Sequence, residues 1–384
     1  MDEEEGFWEF PTDVLVEILQ RLPPSSRRRS RLVCRHWRDV VDERTTEMRS
    51  RAKALLWNAQ HSVAYVVDDL SPSSTGSCTE LWRRPDEGYR LTYSGPQLVA
   101  TCNGLLCLCD NTKRPGGALT LVNPATGEAL PVPPLPLLLP PPPPCDGLLD
   151  GSNWWVYRHW HRGYTFAYHP ISGKYKVVHV PSSFRERCEF DSVQVLTLGE
   201  ASWREVPAGP DAMCHLPAGV ISVDGTTYWT TQGSAARVVA FDLEQEHVTS
   251  FWLPPKPKPK ATDYCSLTEV HGRLGAVVYL GDALLTTEVW VLDKGRRWSC
   301  WYSLRQQLTW PHFVYGNYVL TQENSLHVHY TRKSPSLSRG VMQVNDHQHQ
   351  STLVANKKFG SSNYPSGTFA YVETTEPLSV YATN

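Results

Sequence analysis

The chain has 384 residues, a formal net charge of -2, 41% apolar residues and 20% charged residues. At about 100–200 residues per domain the length allows two or three domains, and the balanced charge excludes a wholly basic nucleic-acid sleeve or an acidic tail. Fourteen Trp and thirty Pro beside only four Met point to short strands with tight connections more than to long helices.

The acidic start of the chain, without an apolar stretch, predicts no secretory signal. The nearest apolar run, at 135–144, is broken by proline and predicts no membrane span. Asn-x-Ser/Thr does not occur, and the ten irregularly spaced Cys fit reduced thiols better than a disulfide framework. An intracellular protein of the cytoplasm and/or nucleus is expected.

A first short helix is predicted from Pro11, whose fixed φ suits a helix entry. Val14, Leu15, Ile18, Leu19 and Leu22 recur at helical spacing. The Pro23-Pro24 pair stops that helix, and Ser25 or Ser26 is placed to cap a second. A third is predicted over 31–43, where Val33, Trp37, Val40 and Val41 share a face. Three short helices bury little by themselves, so the unit needs a partner or the rest of the chain to cover its apolar stripes. Between Arg21 and Arg38 stand seven Arg and no acid, a patch that would suit nucleic acid. Acids at Asp2 to Glu5, Glu9, Asp39, Asp42 and Glu43 favour a solvated face instead and argue against a nucleic-acid partner.

The order Phe10-Pro11, the Leu15/Ile18/Leu19 stripe, Leu22-Pro23-Pro24, then Val33-Cys34-Arg35-x-Trp37-Arg38 resembles the F-box of plant F-box proteins. The resemblance implies that residues 8–45 dock on a Skp-type adaptor, and through it on a cullin. It nominates Phe10, Pro11, Leu15, Ile18, Leu19, Leu22, Pro23, Val33, Cys34 and Trp37 as the adaptor-binding set. Arg27 and Arg28 stand where the family usually carries apolar residues; they would weaken adaptor binding unless their stems cover apolar surface.

Residues 46–95 are expected to form a linker. In it helix continues over 44–56, 61–70 is a strand and 71–80 a loop. From Leu98 onward hairpin follows hairpin. Asn103-Gly104 and Asp224-Gly225 suit tight turns, because both residue types tolerate positive φ. A phrase of apolar strand, Asp or Pro, polar turn and Trp-bearing strand recurs, as from Val239–Asp242 to Trp252 and from Val289–Asp293 to Trp301. Four-strand units of about 40–50 residues mark a β-propeller, here of about six blades over 96–380, in preference to a β-sandwich. Cys102-Asn103-Gly104-Leu105-Leu106-Cys107, Val122-Asn123-Pro124-x-Thr126-Gly127, Tyr175-Lys176-Val177-Val178 and Phe241-Asp242-Leu243 resemble the kelch-like, F-box-associated domain of the same plant proteins. The fold class expected is mainly β, a three-helix F-box followed by that propeller.

Nucleophile-elbow, P-loop, dinucleotide and zinc-protease motifs are absent, and no cofactor or metal is expected. Cys107 and Cys109 share one side of a strand and read as buried thiols. The pairs His159/His161, His327/His329 and His347/His349 each lack a third ligand. Trp203, Trp229, Trp252, Trp290 and Trp301 read as core, while Trp154, Trp155 and Trp160 stay open. The proline run at 132–144 and the Lys-Pro run at 254–260 read as loops outside the sheets. The resemblance implies a non-enzymatic substrate-recognition subunit of an SCF-type ubiquitin ligase, whose propeller binds a protein target not identifiable from the sequence. The alternative is a sugar-binding or catalytic propeller with the helices as a structural cap.

Overall fold

The computed structural model describes residues 11–22, 24–44, 53–59, 61–67, 78–85, 95–136, 160–169, 172–181, 190–209, 219–231, 236–255, 264–270, 272–280, 286–293, 295–304, 312–315, 318–322, 326–333, 342–344, 352–355 and 368–382. Phe10, Pro23, Trp154, Trp155, His159, His347, His349, the 137–144 part of the proline run and the 256–260 run lie outside them.

The three predicted helices are α1 (Thr12–Arg21), α2 (Pro24–Ser30) and α3 (Arg35–Arg44). Pro11 precedes α1, its carbonyl accepting the Leu15 N–H at 3.1 Å. Leu22 leaves the helix with ψ 145, the extended geometry that a following proline imposes. Two boundaries differ from expectation. Helix α2 begins at Pro24, not behind a serine cap, because a proline at the first helical position sacrifices no hydrogen bond. Helix α3 begins at Arg35: residues 31–33 form a turn, and the Cys34 carbonyl accepts the Arg38 N–H at 3.1 Å. The Cys34 sulfur also accepts the Trp37 N–H at 3.5 Å, so Cys34 serves as the cap. Val33 therefore stands outside the helix and does not share a face with Trp37, Val40 and Val41.

The strands form five sheets. Blade 1 joins β1 (Lys53–Asn58), β2 (Val63–Val67) and β3 (Cys78–Arg83) to the last strand, β25 (Thr368–Tyr371). Blade 2 is β4 (Gln97–Cys102), β5 (Leu105–Asp110), β6 (Ala118–Val122) and β7 (Ala129–Pro131); blade 3 is β8 (Tyr164–His169), β9 (Lys174–His179), β10 (Ser192–Thr197) and β11 (Arg204–Pro207). Blade 4 is β12 (Ile221–Val223), β13 (Thr226–Thr230), β14 (Arg237–Asp242) and β15 (Val248–Trp252). Blade 5 is β16 (Tyr264–Val270), β17 (Arg273–Leu280), β18 (Thr286–Leu292) and β19 (Trp298–Leu304). Its sheet also takes in β20 (His312–Tyr315), β21 (Tyr318–Gln322), β22 (Leu326–Lys333), β23 (Met342–Val344) and β24 (Thr352–Ala355), nine strands in all.

The cores lie between successive sheets. Leu55, Trp57 and Val66 of blade 1 meet Leu106, Leu108 and Val122 of blade 2. Leu119 and Leu121 of blade 2 meet Tyr164, Tyr175 and Val177 of blade 3. Val178, Val193 and Val195 of blade 3 meet Trp229, Val239 and Phe241 of blade 4, and Val238 of blade 4 meets Cys265, Leu274 and Ala276 of blade 5. Each such side chain stabilises the fold by about 1.5–3 kcal/mol on leaving water, and face-to-face packing around an axis is the propeller arrangement. Five blades are thus distinguished.

The expected linker carries three strands. Lys53–Leu56, read as the end of a helix, belongs to β1, and Cys78–Glu80, read as loop, opens β3. Strand β1 is buried from Ala54 to Asn58, so it shows no period-2 alternation that would mark it as a strand. The turns read from sequence do form. Asn103 and Gly104 have φ 47 and 82, and Asp224 and Gly225 have φ 49 and 74, joining β4 to β5 and β12 to β13 with two-residue loops.

Candidate functional site

Two regions could meet a partner. In the helical unit Leu15, Leu19, Val40 and Val41 form a small buried cluster against which Val16, Leu22 and Trp37 pack. This leaves Val14 and Ile18 on α1 exposed by 45% and 42%, and Leu32 and Val33 in the α2–α3 turn by 80% and 62%. They are four of the six large apolar side chains exposed among the described residues. Arg27 is buried. On the surface Arg21 lies 3.7 Å from Glu17 and Arg44 lies 3.2 Å from Asp13, so part of the basic character is balanced locally.

The second region is the propeller face formed by the turns after the first and third strands of each blade. Over blades 2 and 3 the chain's own C-terminal segment covers it. The Asn123 amide donates to the Glu376 carbonyl at 2.7 Å, and the Leu378 N–H donates to Glu128 at 3.0 Å. The Tyr381 hydroxyl donates to the Glu376 carboxylate at 2.5 Å, and the Tyr381 ring stands edge-on to Tyr175 at 5.7 Å. Between blades 3 and 4 the face is closed by charge. Glu246 accepts from Lys176 at 2.8 Å and from Arg204 at 2.6 and 2.8 Å, while Lys176 also donates to the Leu243 carbonyl. Between blades 4 and 5 lies an open cleft of about 470 Å³ lined by both polar and aromatic groups.

The Arg204 hydrogen bonds hold the Glu246 carboxyl at about 2, against an ordinary 4.5. A depressed carboxylate stabilises the fold fully above its unfolded value and loses that contribution as pH falls through the folded one. Glu246→Gln is therefore expected to cost about 2–3 kcal/mol at pH 7, by leaving Lys176 and Arg204 without their carboxylate. Urea unfolding from pH 7 down to pH 2 checks this: the gap between wild type and variant should narrow below about pH 4.5.

Comparison with known proteins decides the family. The F-box associated beta propeller domain family matches residues 69–326, and the F-box domain family matches residues 7–46. The chain is an F-box protein with an F-box associated β-propeller domain. An F-box protein of Arabidopsis thaliana is 26% identical over 355 residues, spanning 81% of this chain and 78% of its own length. An F-box/LRR-repeat protein of the same plant is 24% identical over 313 residues, spanning 76% of this chain and 66% of its own length. Among solved structures, TolB from Acinetobacter baumannii covers 73% of this chain and 60% of its own, at a TM-score of 0.39 and 10% identity.

Within the F-box the eight described residues of the nominated set fall into different environments. Leu15 and Leu19 are buried inside the unit, Leu22, Cys34 and Trp37 are half-buried, and Pro11, Ile18 and Val33 are exposed. The F-box implies binding of a Skp-type adaptor. In the propeller, Cys107 and Cys109 are buried as expected, and burial pushes the Cys107 thiol up to about 12. Burial likewise holds His179 down at about 4, a neutral core histidine whose Nδ1–H donates to the Gln194 amide oxygen at 2.8 Å.

Among the described residues no three His, Cys, Asp or Glu converge as metal ligands, and no helix is long and apolar enough to cross a membrane. Trp203, Trp229 and Trp160 are buried, while Trp290 and Trp301 are half-buried. Trp252 corrects the expectation of core: it is 59% exposed on the outer strand of blade 4, with the Arg237 guanidinium 4.4 Å above its ring. The proline run begins inside the fold. Val132 and Leu135 are buried, and Trp203 donates its indole N–H to the Pro133 carbonyl at 2.9 Å. The C-terminal cover and the Lys176–Glu246–Arg204 cluster carry no local sequence signal, because their partners lie on different blades.

Proposed function

We propose that this F-box protein is a non-catalytic substrate receptor of an SCF-type ubiquitin ligase, acting inside the cell. The helices hold a Skp-type adaptor and, through it, a cullin, while the propeller holds the protein to be modified. The observation that carries this is the exposed group Val14, Ile18, Leu32 and Val33, apolar surface that the unit's own core does not use. Bringing a target lysine beside a charged conjugating enzyme turns a bimolecular transfer into an effectively intramolecular one, so no residue of this chain needs to react. Of the nominated set, Ile18 and Val33 are the contacts we favour, with Leu15 and Leu19 supporting them from below.

Ile18→Asp combined with Val33→Asp is expected to weaken capture of a Skp-type adaptor by about 100-fold or more, since each carboxylate would have to be buried without a partner. Unfolding of the full chain should be unchanged, because both side chains face solvent. Adaptor capture at wild-type strength would overturn the proposal.

A sixth blade, built from β20 to β24, goes with this reading. In support, β20 neighbours both β16 and β25, and β25 neighbours β4, as the innermost strands of a closed ring would. We also place the boundary between F-box and propeller within 45–52, ahead of β1.

A further inference from the structure

Blades 2 and 4 are built alike on the turn face. The Asn123 N–H donates to the Glu128 carbonyl at 2.9 Å, and the Asp242 N–H donates to the His247 carbonyl at 3.0 Å. Asn123 and Asp242 each cap their turn, accepting the N–H two residues onward at 2.9 Å and 2.8 Å. His247 thus stands where Glu128 stands, and Asp242 where Asn123 stands. In the adjoining blade Leu274, second in β17, occupies the place of Tyr175, second in β9. The groove between blades 2 and 3 holds Leu378 and Tyr381, both buried among side chains of those blades. Its counterpart between blades 4 and 5 is the open cleft of about 470 Å³.

We propose that the cleft between blades 4 and 5 takes a short segment of a partner protein, anchored by one aliphatic or aromatic side chain. The chain's own Glu376–Tyr381 shows how such a segment sits, with Leu378 and Tyr381 between blades and its main chain met by Asn123 and Glu128 at the two turn positions. The cleft selects a different sequence from the tail. Asn123 offers an amide N–H to a carbonyl, whereas Asp242 has only oxygen to offer and therefore meets an N–H or a cation. Asp224, Asp242 and Asp293 stand against Arg273 and Arg296, a near-balance of charge that suits a peptide and disfavours a polyanion. Arg296 lies over the Phe251 ring at 5.7 Å, placing an aromatic face and a guanidinium, two groups enriched at protein interfaces, at the wall of the cleft. That the partner is the ubiquitination target rests on the ligase reading; that the cleft takes a peptide does not.

The test is selection of a phage-displayed random dodecapeptide library on the full chain. The expected result is a family of peptides sharing one large apolar residue. Their binding should fall at least 10-fold in Thr249→Trp, which fills the cleft, and in Arg296→Glu, which changes its wall. Both variants should match the wild type in thermal unfolding and in adaptor capture through the helices. No enrichment, or peptides that bind both variants as tightly as the wild type, would overturn the proposal. Failure of the wild-type chain to capture the adaptor would defeat the ligase reading alone, since peptide binding is measured without the adaptor.

Discussion

Truncation after Gly367 is expected to abolish folding of the propeller, not to trim it. Strand β25 completes blade 1, pairing Lys53 with Tyr371 through to Leu56 with Thr368, and Thr101 of blade 2 donates to the Ala370 carbonyl at 2.5 Å. Loss of Tyr371, Leu378 and Tyr381, all buried, costs about 2–5 kcal/mol for each side chain. The sum rivals the whole stability of a typical domain, about 5–15 kcal/mol. Loss of the cooperative unfolding transition in circular dichroism would show the effect. A milder probe of the same closure is Gly104→Ala. Gly104 has φ +82, and an added Cβ there would run into the Val372 carbonyl and the Thr374 side chain. The substitution should lower the melting temperature while leaving a folded protein.

Leu15→Ala with Leu19→Ala should remove adaptor capture by a different route from Ile18→Asp with Val33→Asp. Both leucines are fully buried against Val40 and Val41. Each truncation costs about 2–5 kcal/mol, more than a cluster of four buried residues can lose. The helices should melt while the propeller keeps its unfolding midpoint. Hydrogen exchange separates the two double variants: fast exchange over residues 12–44 is expected for the leucine pair and native protection for the aspartate pair. Retained protection in the leucine pair would show that the helices draw their stability from elsewhere in the chain.

What was legible in the sequence was whatever a few neighbouring residues decide. Asn103-Gly104 and Asp224-Gly225 make turns because their own backbones accept positive φ, and Asp242 and Asp293 close theirs by capping N–H groups two to four residues onward. The α1 stripe also followed from spacing alone, although spacing does not say which of its residues face inward. Leu15 and Leu19 do, and Ile18 does not. The strands of blade 1 were harder to read. Strand β1 is buried from Ala54 to Asn58 on both faces and follows helix-forming residues, and β3 is polar and emerges from a serine-rich stretch. Only pairing with β2 and with the distant β25 makes either of them a strand. Trp252 reads as core from its residue type and strand context, but it lies exposed on the outermost strand of blade 4, and Arg237 covers its ring instead.

The pairing of β1 with β25 also fixes an order of events during translation. The ribosome finishes the helices early, yet the ring stays open, with one margin of its first blade bare, until residues 368–371 emerge. On the ligase reading proposed above, a message cut short before that point would yield a protein that still grips the adaptor and has no working receptor, a competitor of its own full-length sibling.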